Sequence, residues 1–395
     1  MKRLSIKKEF PVFLNERYFN FGSSGPVAMT VIKKMYSHLL LQAKEGSSSP
    51  GFMRRYLSDY VKLKGLLSRF LNVCREEIAI TQNTTEGINI VLRGLSWKPD
   101  DEIITTELEH SGLKVPLEKL KMDYSVKIRI LKTVKLSQSD LLKELKNKIN
   151  PKVKMIALSH VDYITGRCLP IKKISVLSKK HRILLLVDGA QAIGSIPVDL
   201  KKLRCDFYSF PSYKWLLGPR TIGCLFVKKK CIKIVSPIFS GWCSVNDISI
   251  RAIVNVHGIK RENPSFNFVN SAGKYALSTW STVIVAGFLE SLLIFRKYFE
   301  KKLNSNMSSI LIFKRELLRI PGIIMLTPMP KEDSAGIISF KFKKRSSFEI
   351  ARRLIYSNVL IRYVPEMDCI RCCVSVINDD SDLKFFISRL KQIIV

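Results

Sequence analysis

Asp188 stands at the end of the apolar run Ile183 to Val187, and Lys214 follows twenty-six positions later, after the apolar segment Phe207 to Phe210. An acid and an amine do chemistry together when both meet one ligand. A lysine amine forms a Schiff base with an aldehyde, and a carboxylate against a pyridine nitrogen keeps that ring protonated, so that it draws electrons from a neighbouring carbanion. At an effective dielectric near 20 a close ion pair contributes roughly 4 kcal/mol, about three pKa units, which holds a pyridinium charged at neutral pH. The pairing therefore suggests pyridoxal phosphate (PLP) chemistry. Taken singly, Asp188 also reads as a helix cap and Lys214 as a solvated surface lysine.

The run Ile183 to Val187 is short and continuously apolar, the pattern of a strand covered on both faces in a parallel sheet. Ligands of open α/β sheets bind at the carboxyl ends of the strands, where Asp188 falls. Phe207 to Phe210 delivers Lys214 to the same edge, before a Gly218-Pro219 turn and a third strand, Ile222 to Val227. Upstream, Ile78 to Thr81 reads as a strand, and Asn83-Thr84-Thr85-Glu86-Gly87 opens an amphipathic helix, Ile88 to Leu95. Such a start offers free N–H groups and the positive end of a helix dipole to a phosphate, with threonine hydroxyls adding donors. It also reads as an ordinary N-cap.

Val187-Asp188-Gly189-Ala190-Gln191, and Asp206-Phe207-Tyr208 through Lys214-Trp215-Leu216-Leu217-Gly218-Pro219, resemble the pyridine-nitrogen and Schiff-base lysine segments of the class V aminotransferase superfamily. These are fold-type I PLP enzymes that include cysteine desulfurases, selenocysteine lyases, kynureninases and isopenicillin N epimerases. The resemblance spans nearly the whole chain. It implies an α/β fold, with a large PLP-binding domain built on a mainly parallel sheet flanked by helices and a smaller C-terminal α+β domain. The division expected is 19–282 for the large domain, with 1–18 and 283–395 forming the small one.

The same resemblance implies the site. Asp188 meets the pyridine nitrogen, Gln191 the ring hydroxyl, and Lys214 holds the cofactor and then shuttles the substrate's α proton. Thr84 and Thr85 hold the phosphate. His110, in Glu107-Leu108-Glu109-His110-Ser111, stacks on the ring and handles protons, roles that suit a flat group titrating near neutral pH. Arg371, in Cys369-Ile370-Arg371-Cys372-Cys373, takes the substrate carboxylate through two parallel N–H donors, a geometry that lysine lacks. Arg362 competes for that role, and a solvated arginine is the plain alternative. Lys274 to Thr279 resembles a loop that reaches the partner's cofactor phosphate in family dimers; Ala276 and Ser278 replace its usual glutamate and glycine, so Thr279 alone carries over. Gly241-Trp242 fits a family loop near the site.

Departures bear on the reaction. Where many members carry Ser-Gly-His before the lysine, this chain has Pro211-Ser212-Tyr213, leaving Ser212 and Tyr213 as substitutes for a lost serine and imidazole. Tyr163 stands where desulfurases place an asparagine. Desulfurases also present a thiol on a mobile loop before the carboxylate arginine, and its thiolate attacks the substrate sulfur. Here only Cys369 lies between Arg362 and Arg371, on the same strand face as Arg371. Classical desulfurase therefore ranks below a lyase, epimerase or transaminase acting on an amino acid through an external aldimine and α-proton abstraction.

With 66 basic against 33 acidic residues the chain carries a net charge of +33. Successive hundreds hold 16, 18 and 15 basic residues and the last 95 hold 17, a spread without a dedicated nucleic-acid arm. A polyanion- or nucleic-acid-binding protein on the same scaffold, with weakened catalysis, is the alternative class; its binding would fall steeply between ~50 and ~200 mM salt. Six of the nine cysteines are scattered through apolar segments as small hydrophobes, and the Cys369, Cys372, Cys373 cluster lacks a histidine for a zinc site, so no metal is expected. MKRLSIKKEF lacks a signal-peptide apolar core, and Glu290 interrupts the run Val283 to Phe295. The expectation is a cytoplasmic homodimer off the membrane. Substrate selectivity is assigned to the Phe239 to Asn267 loop.

Overall fold

The computed structural model describes residues 6–134, 136–246 and 267–394, so 247–266, most of the expected selectivity loop, lie outside the described residues. Near the amino terminus β1 (Arg17–Tyr18) stands apart from the main sheet. That sheet comprises β2 (Ile78–Thr81), β3 (Glu102–Thr106), β4 (Lys127–Leu131), β5 (Val153–Ser159), β6 (Leu184–Asp188), β7 (Phe207–Pro211) and β8 (Gly223–Val227). Their spatial order is β2-β8-β7-β6-β5-β3-β4. The run from β4 through β3, β5 and β6 to β7 is parallel, whereas β8 is antiparallel to both of its neighbours.

Apolar runs became central strands because helices cover both faces. Successive side chains alternate between two cores: Leu185 and Val187 join one and Leu186 the other, while Tyr208 and Phe210 oppose Phe207. The first core includes Leu63 and Leu67 of helix Pro50–Leu71, and the second includes Val91 and Leu117 of helices Thr84–Gly94 and Ser111–Tyr124. Helix Thr282–Tyr298 buries Val285, Phe288, Leu292 and Phe295 in the first core, although it lies almost wholly in the stretch assigned from sequence to the smaller unit.

A second sheet follows. β9 (Ile323–Met325) and β10 (Ile337–Phe342) precede β11 (Val359–Leu360), β12 (Arg362–Val364) and β13 (Cys369–Cys373). Four of these form an antiparallel sheet ordered β12-β13-β10-β9, and β11 pairs in parallel with β1. Ile338, Phe340, Ile370 and Cys372 pack with Phe313 and Phe386 from two helices, and Phe19 joins them from the amino-terminal segment. The start of the chain is thereby tied to its end.

Expected elements differ from the observed ones mainly at their ends. The helix expected from Ile88 begins at Thr84, because the Asn83 side chain accepts the Glu86 N–H at 2.9 Å and caps an earlier start. Two further helices span Gln138–Lys148 and Ile171–Lys180. Among the described residues no helix is long and apolar enough to cross a membrane. One consequence matters for chemistry: Thr81, Thr106, Ser159, Asp188 and Pro211 end five strands along a single edge, and the β10–β13 ladder stands over it.

Candidate active site

A cavity of about 630 Å³ opens at this edge, lined by Thr84, Thr85, His110, Asp188, Tyr213 and Lys214. Gln191 lines it as well. The strand ends explain the convergence, since each residue closes its strand or lies in the first turn or loop beyond it.

Asp188 closes β6 and is fixed by its neighbours: its carbonyl accepts the His160 N–H at 2.8 Å and its Oδ1 accepts the Ala190 N–H at 2.8 Å. The other carboxylate oxygen has no hydrogen bond among the described residues. Burial raises the carboxyl's pKa, opposed by Ala190 and by the charge of Lys214. Lys214 is itself buried, and its Nζ makes neither a hydrogen bond nor an ion pair among the described residues. Burial pushes the amine down to about 8 against the pull of Asp188, so more of it is a neutral nucleophile at physiological pH than of a free lysine. A buried acid and a buried amine, each short of a partner, face one cavity.

The lysine's backbone is held from the amino-terminal segment, where the Gly25 N–H donates to the Tyr213 carbonyl at 2.7 Å. Trp215 stacks on Phe21 and donates its indole N–H to Gln191 Oε1 at 2.9 Å. Gln191 Nε2 donates to the Gly22 carbonyl at 2.8 Å. The Gln191 amide is thus anchored at both ends, with one N–H left for a ligand.

His110 is the N-cap of helix Ser111–Tyr124 and its Nδ1 accepts the Gly112 N–H at 2.9 Å, which places the neutral ring's proton on Nε2. Burial, then the charges of Lys214, Arg362 and Arg371, push this imidazole down to about 4. The ring is therefore neutral at physiological pH, with Tyr163 edge-on at 5.1 Å. Beside it, buried Glu109 accepts from the Thr106 hydroxyl at 2.6 Å, the Ser159 N–H at 3.0 Å and the Ser159 hydroxyl at 2.5 Å. Burial pushes Glu109 up to about 7. It ties the ends of β3 and β5 together and so sets the position of His110; sequence reasoning passed over it.

At the helix end, the Ser209 hydroxyl donates to the Thr84 carbonyl at 3.0 Å and fastens Thr84 and Thr85 to β7. Gly87 permits this approach, because a Cβ there would strike Ser209. Ser212 does not join them. It is fully buried and donates its hydroxyl to the Pro219 carbonyl, while its own carbonyl accepts the Gly218 N–H at 3.0 Å. The turn between β7 and β8 consumes that hydroxyl, so Ser212, expected to substitute for the family's serine, does not line the cavity. Tyr213 does face the cavity.

Arg371 lies on β13 opposite Arg362 of β12 and is 1% exposed. Its Nη1 donates to the Tyr163 carbonyl at 2.9 Å and its Nη2 to Ser23 Oγ at 2.8 Å, while Nε is buried without a partner. Arg362 approaches the same Ser23 hydroxyl at 3.5 Å. Neither arginine has a carboxylate partner among the described residues. Two guanidiniums across adjacent strands repel each other, a cost that an anion between or beside them relieves. Ser23, which lines the cavity, was also missed; Phe21-Gly22-Ser23-Ser24-Gly25 gives only a turn signal.

Thr279 is not brought into this cavity. With Trp242 and Ser278 it lines a separate one of about 620 Å³, where the Trp242 indole donates to Ser278 Oγ at 3.2 Å.

The sequence profile of the aminotransferase class-V family matches residues 18–372. A cysteine desulfurase of Wigglesworthia glossinidia brevipalpis is 28% identical over 98% of this chain and 96% of its own length. The cystine C-S lyase C-DES, solved with its product cysteine persulfide, superposes with a TM-score of 0.88 at 27% identity, covering 96% of this chain and 98% of that one. The cysteine desulfurase CsdA of Escherichia coli shares the fold at a TM-score of 0.83 and 21% identity, over 100% of this chain and 98% of its own. With the family profile spanning most of its length, and with the mixed seven-stranded sheet and antiparallel C-terminal sheet of fold-type I enzymes, the chain belongs to the aminotransferase class-V family.

Proposed function

We propose that this protein is a PLP-dependent enzyme that cleaves a carbon–sulfur bond of an amino acid by β-elimination, without a thiol of its own. The observation that carries this reading is the state of Cys369. β12 and β13 are joined by the single short turn Pro365–Met367 and Asp368, and Cys369 is 0% exposed with its thiol pushed up to about 12 by burial. Among the described residues no cysteine lines the cavity. A persulfide-forming thiolate has no place to swing from. Similarity to C-DES, named a cystine C-S lyase, supports the same reading.

The residues fit the cofactor. The free oxygen of Asp188 suits a pyridine N–H, the unpartnered Lys214 amine suits the aldehyde, and Thr84 and Thr85 at a helix start suit the phosphate. When bound, PLP supplies an electron sink for charge developing at the substrate's α carbon. Asp188 keeps the pyridine nitrogen protonated. Arg371 orients the substrate carboxylate, with Ser23 and Tyr163 fixing its guanidinium. Lys214 Nζ takes the α proton; the bonding pair of Cβ–S leaves with sulfur, and the remaining three-carbon enamine, once released, is hydrolysed by water to pyruvate and ammonia. His110, neutral, offers a face to the ring and an Nε2–H.

We further infer a homodimer, in which Thr279 serves the partner's site; exposed apolar residues on the helices at 29–71, such as Tyr36, Leu39 and Leu57, support a covered surface there. Nine unpaired cysteines suit the reducing cytoplasm. The test is product analysis with cystine, cysteine and cysteine conjugates. Pyruvate is expected, and Cys369→Ala should keep activity within about threefold, as for a side chain outside the chemistry. Alanine as the carbon product, with activity abolished in Cys369→Ala, would restore the desulfurase reading.

A further inference from the structure

The loop that leads from Lys214 into β8 carries a cation with no assigned role. Arg220 lines the main cavity together with Thr221, Thr84 and Thr85. The strand register accounts for its place: Gly223 pairs with Thr81, and a Cβ on Gly223 would lie 3.3 Å from Asn83 Cα. Residues 220–222 therefore run alongside the segment that opens helix Thr84–Gly94. The Arg220 guanidinium lies over the Tyr213 ring, 5.7 Å from its centroid, and makes no ion pair among the described residues. Thr221 holds φ 62°, a left-handed conformation that a β-branched residue rarely adopts, and its hydroxyl donates to the Arg220 carbonyl at 2.6 Å. Strain in a cavity-lining turn is commonly kept for a functional reason.

We propose that Arg220, stacked on Tyr213, is a ligand of the cofactor phosphate, supplying the donor that Ser212 cannot give because its hydroxyl is committed to Pro219. The inference rests on the PLP reading above. Three features of this chain meet at the same corner: the free N–H groups of a helix start, two threonine hydroxyls and an unpaired guanidinium. A guanidinium binds phosphate through two coplanar N–H donors, and the aromatic face beneath it fixes its plane. The buried, unpartnered Lys214 amine in the same cavity independently marks this as a ligand site.

The experiment measures dissociation constants of PLP and of pyridoxal, which lacks the phosphate, for apo protein carrying Arg220→Ala or Arg220→Lys. Inorganic phosphate is titrated calorimetrically into the same variants on a Lys214→Ala background, where no bond to the lysine forms. Arg220→Ala should weaken PLP and inorganic phosphate by about 10- to 100-fold, the loss expected for hydrogen bonds to a charged group, and leave pyridoxal within about twofold. Arg220→Lys should recover only part, since lysine offers a point charge. Equal losses for PLP and pyridoxal, no loss for either, or a raised KM for a dicarboxylate substrate with phosphate affinity intact would overturn the assignment. If the unmodified protein binds inorganic phosphate but not PLP, with Arg220→Ala abolishing the former, the cofactor reading fails while the anion site stands.

Discussion

Arg220 lines the cavity, whereas Arg371 reaches it only through Ser23 and Tyr163, and the structure holds the two cations differently. Arg371 is sealed under the β10–β13 ladder, with its guanidinium donating to Tyr163 and Ser23. Arg220 is exposed at the rim and is held by one aromatic face and a strained turn. Burial of an arginine without a counter-charge is costly, so the protein keeps Arg371 at the expense of stability, and on the proposed role burial would strengthen its hold on an incoming carboxylate. An exposed arginine costs little and gives less, because water and salt screen it. On the proposed roles, the contrast separates a cation fixed for orientation from one that adds affinity.

The largest effect should come from the buried amine that faces the cavity. Lys214→Ala is expected to lower kcat by about 10³- to 10⁴-fold or more while circular dichroism stays unchanged. Arg371→Met comes next: kcat/KM for α-amino acids should fall by about 30- to 1,000-fold, while Tm holds or rises because a buried, uncompensated cation has gone. A fall of several degrees would show that Arg371 is structural and dissolve the contrast. Arg220→Ala should leave Tm essentially unmoved.

The buried amine gives a pH signature. Lys214 titrates at about 8 in the folded chain, against roughly 10.4 in an unfolded one. Below pH 8 both states hold the proton and the folded state bears the full burial penalty. Between about 8 and 10.4 the unfolded chain binds more protons, so this group makes the apo protein more stable as pH rises, by roughly 3 kcal/mol in all. Denaturant titrations of apo protein and Lys214→Met should diverge at pH 7 in favour of the variant and converge by pH 10.5; a constant difference would contradict a depressed amine. The smallest effect is expected from Ser23→Ala, which removes one acceptor from the guanidinium of Arg371 and should raise KM by about fivefold with kcat unchanged.

Much of the site was legible because strand ends write it locally. Asp188, Lys214, Thr84 and Thr85 each follow a short apolar run directly, and a parallel sheet aligns the ends of such runs. Helix starts were read late, as at Thr84, because Asn, Thr and Glu look like loop residues until a side-chain cap recruits them. Ser23 and Glu109 were missed for another reason. Each acts through a partner distant in sequence, Ser23 on Arg371 and Glu109 on Ser159, and neither sits in a periodic pattern. Ser212 failed the opposite way: its residue type suited a phosphate, but a tight turn took the hydroxyl inward.

By itself the sequence determined the α/β layout, the acid–amine pair and the helix start facing a shared edge, since apolar periodicity and chain order suffice to place strand termini. Tertiary structure decided which polar groups remained free to bind. It buried Cys369 in a hairpin, tied Gln191 to Gly22 and Trp215, turned Ser212 away and set Arg220 over Tyr213. Those outcomes depend on hydrogen bonds and desolvation between segments far apart in the chain, which local pattern does not encode.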